Sequence, residues 1–370
     1  MSDILLTFHF HRRIKSLATQ VIFVHVDEIA QPLCLKLWKP CHNDLYDTNS
    51  LEKCAEYLLE GLEFNRRFAP NVYLGLAPVI EFNEEAGNIC LGKLVENPEW
   101  SNLETKVPYA LVMRYLKENW RLDHQLNYSQ LGTHQGIELL ATEVTSMHRM
   151  LEASPKYMGT IKHIASKLEL NTRLFKEALD KLTQNNFDTR KYSFISNWMK
   201  KAYEKCAAYF GLRYEMGRIK RCHGDLKATN LFWVQPEKAS FFGLKQSAQH
   251  LMALDCVDFN PSFCHVDILS DIAMLAIDIE AHLANYKAEA IEEQTGQEPV
   301  RYFLETYLEK IGEKSTKLAW TLLEYYMTEK AMICAYMSIL YNKLPQFDRR
   351  YLDIALIHAQ RLESLLELQA

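Results

Sequence analysis

Asp225, Asn230 and Asp255 stand at a spacing that chemistry can use: an aspartate, an asparagine five residues on, and a second aspartate thirty residues beyond the first. Phosphoryl transfer needs that set. One carboxylate orients an attacking hydroxyl and takes its proton, while an asparagine and a second carboxylate hold Mg²⁺ against a triphosphate. Hard oxygen ligands suit Mg²⁺, which takes one or two carboxylates and completes its shell with phosphate and water. The first two residues sit in His223-Gly224-Asp225-Leu226-Lys227-Ala228-Thr229-Asn230, followed by an apolar Leu231-Phe232-Trp233. The third opens Asp255-Cys256-Val257-Asp258-Phe259-Asn260. A polar turn with Asp225 as a cap would use some of the same residue types, but it would not require the downstream aspartate. Lys227, two residues after the base, is placed to reach the transferred phosphoryl group. His223 reads as a packed residue bracing the loop. Asp258 reads as a turn residue, with a water-mediated metal contact as the alternative.

These two segments resemble the aminoglycoside phosphotransferase and choline kinase superfamily, and more narrowly the bacterial "aminoglycoside phosphotransferase family enzyme" proteins, with their H-G-D-L-H-x-x-N and D-C-I-E-F-N patterns. One departure is Lys227, where those proteins usually carry histidine. Lys36-Leu37-Trp38-Lys39-Pro40 is similar to the family's K-x-K-K-P, and the run from Glu63 to Gly75 to its L-N-R-R-L-A-P-x-x-Y-L-G. The resemblance implies an α+β, protein-kinase-like bilobal fold and a phosphotransferase that uses ATP and Mg²⁺ on a hydroxyl of a small molecule. It makes Lys36 the phosphate lysine, the strand around Met113 the adenine-facing hinge, and Asp225 the base. Glu60 is expected to clamp Lys36, from the acidic face Glu56, Glu60 and Glu63 of one helix. Asp271 is expected to brace the loop around Asp225. The acceptor pocket is expected along 325–340, where Lys330 keeps a cation.

The elements that must position these groups change character along the chain. Strands are expected at 20–26, 33–38, 77–82, 89–95 and 109–114, with a helix at 51–68 capped by Asn49 or Ser50. Long helices follow at 130–151, 162–181, 193–210, 266–284, 300–311, 316–341 and 349–368, and 235–249 reads as an insertion. The lobes divide as 1–115, nucleotide-binding, and 116–370, catalytic and substrate-binding. No glycine precedes Gly61, so a turn such as 16–19 or 27–32 must cover the phosphates without one. That absence keeps a catalytically silent nucleotide-binding protein as one alternative, and Lys227 keeps an enzyme modifying proteins as another. A net charge of −5 argues against a nucleic-acid partner. No apolar run reaches the length of a membrane span. Nine scattered cysteines without a C-x-x-C pair fit a reducing, cytoplasmic setting.

Overall fold

Strands alternate their side chains between two faces, and in the first third of the chain both faces are covered. The computed structural model of the protein describes residues 6–16, 18–26, 29–234, 251–341 and 347–367. Strands β1 (Leu6–Lys15), β2 (Thr19–Val26), β3 (Ile29–Trp38), β4 (Tyr73–Asn83), β5 (Asn88–Leu91) and β6 (Tyr109–Arg114) close into a barrel in the order β1-β2-β3-β6-β4-β5. Closure removes the free sheet edge. Leu33, Leu35 and Leu37 of β3 enter the interior beside Ile22, Ile89 and Val112. Cys34 points to the other face, into the cluster where Ala55, Leu58 and Leu62 of helix α1 (Leu51–Asn65) pack, and Lys36 shares that face by alternation. Ser50 caps α1 by accepting the Lys53 N–H at 3.2 Å.

Strand β1 has no counterpart in the sequence reading. It pairs with β2 and β5 and so completes the barrel. Its residues 9, 12 and 13 are His and Arg, and Arg13 and Lys15 pair with Glu84, so an apolar alternation is largely missing. A two-stranded sheet of β8 (Leu231–Trp233) and β9 (Leu251–Ala253) lies later in the chain. Val234 and Met252 join the cluster under α1. Packing therefore groups Met1–Trp120 with Phe232–Asn260 as one compact unit, and Arg121–Leu231 with Pro261–Ala370 as another. A cut at 115 and 116 follows chain order, whereas packing is not contiguous in sequence. The stretch read as an insertion at 235–249 lies outside the described residues.

The second unit is built from helices α2 (Leu122–Tyr128), α3 (His134–Arg149), α4 (Ile161–Gln184), α5 (Ile195–Glu215), α6 (Pro261–Cys264), α7 (Ile268–His282), α8 (Asn285–Thr295), α9 (Pro299–Ile311), α10 (Lys317–Tyr341) and α11 (Arg350–Glu367). Strand β7 (Ile219–Arg221) pairs antiparallel with β10 (His265–Asp267). The helix expected from 266 starts at Ile268, because Asp267 ends the strand and caps the helix through the Leu269 N–H at 3.0 Å. Asp267 also takes Arg213 bidentately at 2.8 and 2.7 Å. Helix α7 is apolar around its circumference, as a fully enclosed helix must be. No helix among the described residues is long and apolar enough to cross a membrane.

Three of these helices meet at an ion triad. His358 of α11 is fully buried, with Glu324 of α10 at 2.6 Å and Glu280 of α7 at 2.9 Å. Burial alone would lower its pKa, but the two carboxylates raise it to about 9. A histidine raised in the folded state stabilises fully below its unfolded value of ~6.5 and stops doing so as pH passes the folded value. Unfolding free energy should therefore fall by about 3 kcal/mol between pH 6.5 and 9.5, and His358→Gln should flatten that slope. Urea titrations across this range check it; an unchanged slope in the variant would remove His358 from the account.

Candidate active site

In the first unit the Lys36 ammonium is held between two carboxylates. Asp255 Oδ1 lies at 2.6 Å and Asp258 Oδ2 at 3.4 Å. Lys36 is 7% exposed. Burial works against its charge, yet the two aspartates raise its pKa well above that of a free lysine. Asp258 is raised as well, to about 6, by burial first; Lys36 offsets part of the shift and Asp255 adds to it. Among the described residues the Lys36 ammonium bonds to Asp255 and Asp258, and the expected clamp, Glu60, is not one of its partners. Asp258 takes that place, and Gly61 explains how. A Cβ at position 61 would lie 2.5 Å from Asp258 Oδ2, so only glycine lets the carboxylate settle against α1. Asp258, read as a turn residue, is a buried carboxylate facing the lysine.

The Asp255 backbone is held in the left-handed region, φ 63°. For a residue with a Cβ this costs roughly 1–2 kcal/mol, and such strain gathers at functional positions. Two side chains secure it. The Asp255 N–H donates to the Tyr73 hydroxyl at 2.9 Å, and the Cys256 N–H to Asn65 Oδ1 at 3.0 Å. Asn65 in turn donates to the Gly61 carbonyl at 2.8 Å, so the last turn of α1 carries the next peptide. Neither Asn65 nor Tyr73 had a role in the sequence reading. Met113 is a buried core residue within β6, opposite Cys34 of β3 and Tyr73 of β4. The β1–β2 turn is tied by Ser16 and Thr19, with the Thr19 N–H on Ser16 Oγ at 3.0 Å and the two hydroxyls 2.7 Å apart.

In the second unit the loop after β7 brings Asp225, Lys227 and Asn230 together. Asp225 Oδ2 accepts from Lys227 Nζ at 2.8 Å and from Asn230 Nδ2 at 2.9 Å. The same Asn230 amide reaches the Asp225 carbonyl at 2.9 Å, which closes the loop on itself. Gly224 adopts φ 84°, a left-handed turn suited to glycine. Two carboxylates of α7 hold the loop from beneath. Asp271 accepts the His223 N–H at 3.1 Å and the Gly224 N–H at 2.8 Å. Asp278, two helical turns on, accepts the Ala228 N–H at 2.8 Å and the Tyr351 hydroxyl at 2.7 Å. Both are fully buried. Burial would raise Asp271, but His148 at 3.3 Å and the other cations around it bring its pKa below the ordinary carboxylate value. For Asp278 burial prevails and the pKa rises. Asp278 was missed in the sequence. Its signal was an aspartate seven residues after Asp271 in an otherwise apolar helix, where a buried carboxylate must find donors.

Hard oxygen donors are available in both units. Asp255 keeps a largely exposed carboxylate, with one oxygen on Lys36. Asn230 spends its amide nitrogen on Asp225, which directs that contact away from its carbonyl oxygen. No cluster of three or more His, Cys, Asp or Glu fit to enclose a metal exists among the described residues. A single exposed carboxylate such as Asp255 suits a cation that brings most of its other ligands as phosphate and water, as Mg²⁺ does.

Gly61→Ala tests the α1 contact. Alanine should add ~1 kcal/mol of helix stability in a free helix. Here it should not, because the new methyl displaces Asp258 from Lys36. Thermal unfolding should therefore show no gain, because the buried Lys36–Asp258 contact is lost. A variant stabilised by the amount helix propensity predicts would contradict the assignment.

No family model matches the chain. Uncharacterized proteins of Mycobacterium bovis and Mycobacterium tuberculosis are 22% identical over 254 residues, which is 68% of this chain and 43% of each relative. The match thus spans less than half the length of those curated relatives. Among solved structures, an ethanolamine kinase of Plasmodium vivax is similar at 10% identity and a TM-score of 0.48, covering 98% of this chain and 84% of that one. Amicoumacin kinase in complex with AMP-PNP, Ca²⁺ and Ami is similar at 12% identity and 0.49, covering 97% and 90%. A choline/ethanolamine kinase family protein from Mesorhizobium loti follows at 13% and 0.42, covering 96% and 87%.

Proposed function

We propose that the protein is a phosphotransferase of the protein-kinase-like, bilobal type that moves the γ-phosphate of ATP to a hydroxyl of a small molecule. The observation that carries this reading is the hold on Asp225. Its carboxylate is fixed by Asn230 and Lys227, and its loop by two buried aspartates of α7. A carboxylate held that firmly is what orienting a hydroxyl and accepting its proton demands. Lys36 pairs with the phosphate oxygens of the nucleotide, and Asp258 positions Lys36. The strand end at Met113 borders the adenine, and the Ser16–Thr19 turn covers the phosphates without glycine. Asp255 and Asn230 would hold Mg²⁺, which when bound neutralises triphosphate charge. Lys227 is set to follow the negative charge as it spreads over the transferring group.

The test is direct. The protein is incubated with γ-labelled ATP and Mg²⁺ and a panel of hydroxyl compounds, and label transfer is followed. Transfer to at least one compound, abolished in Asp225→Asn, is expected. Nucleotide binding without transfer to any compound, and without Asp225-dependent ATP hydrolysis, would make the chain a silent nucleotide-binding protein.

A further inference from the structure

Lys330 in the middle of α10 is 5% exposed, yet it forms no hydrogen bond and no ion pair among the described residues. The half-buried Lys167 of α4 is equally unpaired among them. An ammonium taken from water without a partner costs several kcal/mol. The nearby acids offset this only in part: Glu329 attracts Lys167 and Asp271 attracts Lys330, yet neither forms an ion pair with its lysine among the described residues, and the acids of the site have donors of their own. Asp225 is held by Lys227 and Asn230, Asp271 by His148 and two loop N–H groups, and Asp278 by Ala228 and Tyr351. Glu329 accepts from Asn171 at 3.1 Å, whose own oxygen takes the Tyr336 hydroxyl at 3.1 Å. The acids are satisfied and the two lysines are not.

The same contacts fix where the lysines lie. Asn171 is one turn after Lys167, so the Glu329 contact brings that face of α4 against α10. Cys334, one turn after Lys330, touches Met274 of α7 at 3.7 Å. Met274 lies one turn from Asp271, which carries the loop of Asp225. Lys330 contributes to keeping the Asp271 carboxyl ionised, and Cys334 feels both Lys330 and Asp225. Lys167 is pushed below an ordinary lysine by burial first; Glu329 opposes the shift and Lys330 adds to it. Two cations that repel one another next to the loop of the base are arranged for a third, negative group.

We propose that Lys330 and Lys167 form an anion-binding subsite for the acceptor, which is a hydroxyl compound bearing a phosphate or carboxylate group; cationic amines are excluded from it. This rests on the phosphotransferase reading and adds the acceptor class to it. The probes are inorganic phosphate, and an acceptor panel of sugar phosphates, hydroxy acids, neutral sugars and amino sugars.

Lys330→Met keeps the length of the side chain and removes its charge. In the ligand-free protein its melting temperature should be equal to or above wild type, because no partner is lost. Inorganic phosphate, followed by calorimetry, should bind at least tenfold more weakly to Lys330→Met and Lys167→Met than to the wild type. KM for an anionic acceptor should rise at least about 30-fold in Lys330→Met with kcat within a few fold, the size expected for losing a desolvated charge contact. Transfer to neutral or amino sugars that is indifferent to Lys330→Met would overturn the subsite and leave the phosphotransferase standing. Lys330-dependent phosphate binding without transfer to any compound would sustain the subsite and remove the phosphotransferase. A large loss of stability in Lys330→Met would mark a structural lysine and overturn the subsite.

Discussion

Asp225→Asn should lower kcat by roughly a thousandfold or more while Mg·ATP still binds. General-base catalysis by a placed carboxylate contributes on the order of 10²–10⁴ in rate, and asparagine cannot accept the hydroxyl proton. The variant preserves volume, and its carbonyl can still accept from Asn230, so the loop stays on its two α7 supports. Asp255→Ala should behave differently. It removes a Lys36 partner and, on the proposed reading, a metal-binding oxygen, so nucleotide affinity should fall and lose its dependence on Mg²⁺. Alanine bears the left-handed backbone at position 255 no more easily than aspartate does, so the fold must be checked by circular dichroism. The pair separates the roles: equal loss of nucleotide binding in both variants, with the fold intact, would contradict the division between base and metal ligand.

What could be read in advance follows from what sequence spacing encodes. Asp225, Lys227 and Asn230 lie within six residues, so their meeting in one loop is a local matter, and their types alone suggest it. Lys36 on a strand exit was legible for the same reason. Its partner was not. Helical spacing put Glu56, Glu60 and Glu63 on one face, and the nearest acid in sequence appeared the natural clamp. The carboxylate that arrives instead stands 222 residues away and is admitted by the missing Cβ of Gly61. A glycine inside a helix costs ~1 kcal/mol against alanine, and that penalty was the available signal of a close approach. Strand β1 was hidden because ion pairs, rather than alternating apolar residues, hold much of it. Lys330 was read as a retained cation, but only the folded chain shows that its neighbours are already paired.

Asp271→Asn should destabilise the protein by about 3 kcal/mol and, in the fraction that folds, lower kcat without touching substrate. The carboxylate meets three donors in a site with no exposure: the His223 and Gly224 N–H groups and His148 Nε2, while His148 Nδ1 faces the Tyr307 hydroxyl at 2.6 Å. Asparagine offers one acceptor and turns an amide N–H₂ against the remaining donors. Breaking one side of a buried charged contact of this kind costs on the order of 3–5 kcal/mol, and an amide that keeps one hydrogen bond falls at the low end. The pH dependence identifies the cause. The Asp271 pKa lies below its ordinary value of 3.8 in the folded state, so its stabilisation is fully present above that pH and is lost as pH falls through the folded value. The gap between wild type and Asp271→Asn should therefore be constant from neutral pH down to about 4 and should narrow below it. A merely steric effect of the substitution would give a gap indifferent to acid. Urea unfolding at neutral and acidic pH, with kcat measured under folding conditions, distinguishes the two, and a full kcat in a destabilised variant would show that Asp271 supports the fold without positioning Asp225.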